Sequence, residues 1–189
     1  MIKKTFQSPP GGLVIWIIVL AELITFGMFF ATFAFHRANE LILFNESQLL
    51  LNSTLATINT VVLLSSSWLV VMGLIDLKSG KNKAAKRWYL FAAILGVVFL
   101  IIKLMEYHQK MEAGINMSTN TFFSYYWLLT ILHFFHVVIG VVILFYISNE
   151  IAKGKYNAAN FFDVEGASIY WHLCDLLWII LFPLLYIMH

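Results

Sequence analysis

An all-α bundle of five membrane-spanning helices is the fold class this sequence predicts, and three features predict it. Hydrophobic residues fill 61% of the 189 positions and charged residues only 12%, about half the charged share of a soluble domain. Five apolar stretches of about 20 residues or more recur along the chain. The connections between them are too short to fold alone. So large a charge deficit cannot reflect a bigger core, because a small domain has too much surface to cover. Lipid must replace water as the solvent over much of the chain.

The first stretch runs from about Gly12 to Phe35, and Pro9-Pro10-Gly11-Gly12 is the breaker cluster that sets its start. Lys3 and Lys4 ahead of it mimic a signal peptide. The run is too long for a signal's apolar region and has no clear small-x-small cleavage site, so it reads as a first span. The second stretch covers about Ser53 to Leu77 and leads through the polar turn Ser79-Gly80-Lys81-Asn82 to the third, about Trp88 to Tyr107. The fourth runs from about Thr121 to Ile147 and the fifth from about Ala167 to Met188. Phe182-Pro183 either bends the fifth helix or marks its end. At about 1.5 Å per residue, each stretch crosses about 30 Å of hydrocarbon. None alternates strictly, which argues against a β-barrel, and no internal repeat is evident. Residues 1–189 therefore read as a single transmembrane domain.

Basic residues give the spans a direction. Nine of the twelve Lys and Arg residues fall on one side of five alternating spans: Lys3, Lys4, Lys78, Lys81, Lys83, Lys86, Arg87, Lys153 and Lys155. Arg37, Lys103 and Lys110 fall on the other. The positive-inside bias places the N-terminus in the cytoplasm and the C-terminus outside. A net charge of +2 with no clustered basic face gives no case for a nucleic-acid partner. The single cysteine, Cys174, excludes an intrachain disulfide and a cysteine-based metal cage.

Ionisable side chains within the spans are the candidate functional residues, since each costs about 2.5–3.5 kcal/mol at mid-membrane on insertion scales. Glu22 lies near the middle of the first span. It is either a proton-exchanging group or a protonated acid bonding to another helix. His133 and His136 on the fourth span are three apart, as are His172 and Asp175 on the fifth. These four could form a metal or haem site, or a polar network in which His172 and Asp175 satisfy groups on the fourth span. The network is the favoured reading, because no Glu-x-x-His pair occurs. Lys103 and Glu106 are placed at the outer end of the third span as an anchoring pair, with Lys103 snorkelling to the interface. Glu165 precedes the fifth helix, where a carboxylate suits the helix dipole. Asn59 and Ser65-Ser66-Ser67 on the second span suit close contact and hydrogen bonding between helices.

In order along the chain, these motifs resemble subunit III of the haem-copper oxidases. Ala21-Glu22-Leu23 is similar to the family helix with an embedded glutamate. Asn59-Thr60 through Ser67 resembles the family's Asn-Thr start and Ser-rich stretch, and Met105-Glu106-Tyr107 its Glu-Tyr helix end. His133-Phe134-Phe135-His136-Val137 resembles its His-x-x-His-Val motif. Tyr170-Trp171-His172-Leu173-Cys174-Asp175-Leu176-Leu177-Trp178 resembles its Tyr-Trp-His-x-x-Asp-x-x-Trp signature, with Glu165 ahead of it. The usual member has seven helices, the first two forming one arm of a lipid-filled cleft; this chain lacks those two. The short form and the opening from Pro10 to Glu22 look most like NorE-type proteins associated with nitric oxide reductases.

The resemblance implies a non-catalytic subunit of a cytochrome c oxidase or nitric oxide reductase complex in a respiratory electron transport chain. Such a subunit carries no haem or copper, packs beside the haem-bearing catalytic subunit, binds phospholipid, and supports proton uptake and active-site durability. It implies a multi-pass protein of a bacterial inner (plasma) membrane. Two other readings remain open at this point. One is a small b-type cytochrome using His133 or His136 with His172. The other is a proton-linked transporter using Glu22 and Asp175.

Overall fold

The structure, a computed structural model, describes residues 9–188; Lys3 and Lys4, counted above for orientation, lie outside the described residues. Six helices follow one another: α1 Leu13–Asn39, α2 Leu41–Leu49, α3 Ser53–Lys78, α4 Asn82–Glu112, α5 Thr121–Ala152 and α6 Phe162–Tyr186. All but α2 are long and apolar enough to cross a membrane. The five expected spans are present, and the chain is a multi-pass membrane bundle.

Two helices start earlier than expected. α4 begins at Asn82, because polar Lys83, Lys86 and Arg87 extend the helix beyond its apolar part. α6 begins at Phe162, which puts Glu165 inside its first turn rather than ahead of it. Asn52 and Asn120 cap α3 and α5 by accepting from the backbone N–H groups of Leu55 and Phe123. α6 runs through Pro183 and ends three residues later at Tyr186. The short α2 was not anticipated. It lies between α1 and α3, and Gln48 ties it to α6 by donating to the Leu184 carbonyl at 3.0 Å.

Helices α3, α4, α5 and α6 close a ring: α3 packs on α4, α4 on α5, α5 on α6, and α6 back on α3. α1 stands outside the ring against α5 and α6. Most of its apolar side chains, including Leu13, Ile17, Leu20 and Ile24, face outward. In lipid there is no hydrophobic drive between helices, so packing and hydrogen bonds must hold the ring. Small polar residues of α3 supply several such bonds. Ser66 donates to the Ala92 carbonyl at 2.8 Å and Asn59 to the Phe99 carbonyl at 3.2 Å.

Trp171 of α6 is fully buried where α4, α5 and α6 meet. Its indole lies against Gly96 of α4 and Gly140 of α5. A Cβ at Gly140 would meet Trp171 at 2.7 Å, and one at Gly96 would meet Val141 at 2.5 Å and Trp171 at 2.8 Å. A rigid indole enclosed on all sides cannot yield to either. Gly140→Ala is expected to cost about 1–3 kcal/mol of stability, seen as a lower midpoint in thermal unfolding of the detergent-solubilised protein.

Candidate functional site

Three polar contacts involve the ionisable side chains of the spans. The first joins α1 to α5, where Glu22 Oε2 lies 3.1 Å from His136 Nε2. His136 Nδ1 is 2.7 Å from the Leu132 carbonyl, which can only accept, so Nδ1 carries a proton. The contact between Nε2 and Oε2 then holds one proton between the two groups, and the pair is neutral whichever atom bears it. That arrangement gives the Glu22 carboxyl a polar partner on a neighbouring helix. Beside it, the Tyr170 hydroxyl donates to the His136 carbonyl at 3.3 Å, and the Cys174 thiol lies 3.7 Å from that same oxygen.

The second contact joins α6 to α3. His172 Nδ1 lies 2.6 Å from Ser67 Oγ and 3.4 Å from Asp175 Oδ2. The expected partner helix was the fourth span; the actual one is the second, because α6 sits in the ring between α5 and α3. The His172 side chain remains 39% exposed.

The third lies inside the bundle. Lys103 Nζ is 3.0 Å from Glu106 Oε2, and the two side chains are 1% and 2% exposed. The anchoring, snorkelling pair expected at the end of the span is therefore an enclosed ion pair, and Glu106 sits six residues before the end of its helix. Lys103 points inward because four aromatic rings await it. Its ammonium lies 5.1–5.4 Å from the ring centroids of Tyr107, Tyr126, Trp178 and Tyr186. Tyr126 and Tyr186 donate to Glu106 Oε1 at 2.8 and 2.7 Å. Lys103 also donates to the Tyr186 hydroxyl at 2.7 Å. Both charges are thus hydrogen-bonded as well as paired, which a desolvated ion pair requires.

His133 and His136 share a helix but not an environment. His136 faces α1. His133 is buried, stacked on Trp178 with centroids 5.2 Å apart and edge-on to Phe99 at 5.8 Å. Neither of its ring nitrogens has a hydrogen-bond partner among the described residues. A haem iron bound between His133 and His172 would have to displace these rings. Among the described residues, no group of three or more His, Cys, Asp or Glu side chains converges as a metal site would need. Glu165, at the start of α6, pairs with Lys78 at the end of α3. The tyrosines around Lys103 escaped the sequence reading, since nothing within α5 or α6 alone marks Tyr126 or Tyr186 as partners of a charge on α4.

Residues 10–189 match the family model described as cytochrome c oxidase subunit III. The chain is 39% identical over 133 residues to cytochrome c oxidase subunit 3 of Thermostichus vulcanus, an alignment covering 70% of this chain and 65% of the relative. It is 33% identical over 132 residues to cytochrome c oxidase subunit 3 of Synechocystis sp., covering 69% and 55%. It is 27% identical over 187 residues to the probable quinol oxidase subunit 3 of Staphylococcus aureus, covering 97% and 92%. The matched part thus spans less than two thirds of the length of the first two relatives.

Proposed function

The chain belongs to the cytochrome c oxidase subunit III family, and from that premise we propose that it is an accessory, non-catalytic membrane subunit of a haem-copper oxidase or reductase in a respiratory electron transport chain. The observation that carries this reading is the pairing of its membrane-embedded ionisable groups. Glu22 meets His136, Lys103 meets Glu106, and His172 meets Ser67 and Asp175, each in a separate seam or layer. Groups that pair off in this way hold helices together and move protons locally. They do not converge on a common centre, as the ligands of a haem or metal would. The haem and metal of the complex then belong to the catalytic subunit, and this chain contributes packing, lipid contact and Glu22.

The basic-residue bias supports an N-terminus on the cytoplasmic side of a bacterial inner membrane. The outward apolar faces, α1 above all, suit contact with phospholipid. The relatives' names favour an oxygen-reducing complex. A NorE-type nitric oxide reductase complex is the finer alternative, supported by the opening from Pro10 to Glu22. The short length does not separate the two, since the Staphylococcus aureus relative is matched over 92% of its own length.

Affinity purification of the tagged chain from its native membrane tests the proposal. The expected preparation contains a haem-bearing subunit with a Soret band, and the chain expressed alone shows none. A stable native complex without any haem-copper subunit would overturn it. Consumption of oxygen or of nitric oxide by that preparation identifies the electron acceptor. Within the complex, Glu22→Gln is expected to preserve assembly, since the amide can donate to His136 Nε2, and to slow turnover by removing the exchangeable proton. Unchanged turnover across the pH range would reduce Glu22 to a structural role.

A further inference from the structure

Of the ionisable groups in the three contacts above, Glu22 and His172 are the more exposed, at 26% and 39%, and Glu22 Oε2 has its partner in His136. In His172 the internal contacts fall on one nitrogen. Ser67 Oγ and Asp175 Oδ2 both approach Nδ1, while among the described residues no polar contact is made to Nε2. Ser67 lies fourteen residues from the start and eleven from the end of the 26-residue α3, so this imidazole sits about 21 Å from one end of that helix and about 16 Å from the other. Hydrocarbon offers no hydrogen bond at that depth. Whichever nitrogen carries the proton, Nε2 is left needing a polar partner.

The surface around His172 is shaped to receive one. The seam between α3 and α6 holds a hollow of about 210 Å³ whose mostly apolar lining includes Val71, Leu74, Ile75 and Ile169, with Pro10 from ahead of α1, Ser168, His172 and the Lys78–Glu165 pair also on its wall. An apolar socket, bounded by an unsatisfied imidazole at mid-depth and an ion pair near the α3–α4 turn, suits a transmembrane helix. Apolar side chains of such a helix fill the socket while one polar side chain reaches Nε2. A lipid acyl chain would fill the socket and leave Nε2 bare, so the imidazole favours protein.

We propose that the α3–α6 seam is the face on which a helix of the haem-bearing catalytic subunit docks, and that this helix presents a polar side chain to His172 Nε2. The inference rests on the accessory-subunit reading above and adds the surface and the residue that make the contact.

Photocrosslinking in the native complex tests it. A photoreactive residue is placed either at Val71, beside the hollow, or at Val142, which points outward from α5. The expected result is a crosslink from position 71 to the haem-bearing subunit and none from 142. In parallel, His172→Leu is expected to lower co-purification of that subunit about tenfold, the effect of one lost interhelical hydrogen bond. His172→Gln, which keeps a polar end, should restore most of it. Co-purification with crosslinks only from 142, or crosslinks from 71 only to lipid or to a second copy of this chain, would overturn the docking face and leave the accessory role standing. If His172→Leu weakens the bundle itself, the position-71 crosslink in the unaltered sequence still decides. Absence of any haem-bearing subunit from the unmodified preparation would overturn both readings.

Discussion

Replacing Lys103 by Met is expected to lower the stability of the bundle by about 3–5 kcal/mol, the usual cost of stranding one member of a buried ion pair. Glu106 would keep its tyrosine donors but lose its counter-charge in a site closed to water. The aromatic rings that surround the ammonium would surround a thioether instead, and their cation–π attraction would vanish. Removing both charges together, as Lys103→Met with Glu106→Met, should cost less than the sum of the single changes. The remaining penalty is that of two tyrosine hydroxyls deprived of their acceptor, about 1–3 kcal/mol each unless they bond to one another. Denaturant unfolding of all three variants in mixed micelles closes the cycle. A single Lys103→Met variant within about 1 kcal/mol of the parent would mean that the pair behaves as an exposed one does.

Trp171→Ala is the second change with a large expected effect, about 3–5 kcal/mol. The indole touches both Gly96 and Gly140, so its loss leaves a void between α4, α5 and α6 together. Phe at this position should recover part of the loss by refilling the notch in part. Thermal unfolding in detergent reads both variants. An Ala variant that unfolds at the parent temperature would show that the ring closes over the void.

The five spans were legible because length and apolarity are properties of each segment alone. Glu22 was legible as an interhelical group for the same reason, since a lone carboxyl in lipid must find a partner. The identities of the partners were not legible. Lys103 reads as a snorkelling lysine from its place on α4, and turns inward only because Tyr126 and Tyr186 arrive from two other helices. His133 and His136 share a spacing that suggests one site, yet one turns to the Trp178 ring and the other to α1. Ser67 was marked as a residue for close helix contact, but its bond to His172 spans 105 positions. The nine-residue α2 was missed because it is too short to span and its exposed Leu41, Ile42 and Leu49 look like a loop's scattered apolar residues.

The placement of Trp171 also constrains the order of biogenesis. α1, with its outward-facing surface already suited to lipid, is equipped to wait alone after insertion. α6 is the least apolar of the five spans and brings Trp171, His172 and Asp175 into the bilayer together. It follows α4 and α5 along the chain, and its indole fits the slot lined by Gly96 and Gly140 of those two helices. α6 thus acts as a keystone. Without its indole, the glycine-lined slot between α4 and α5 has no side chain of α6 to fill it.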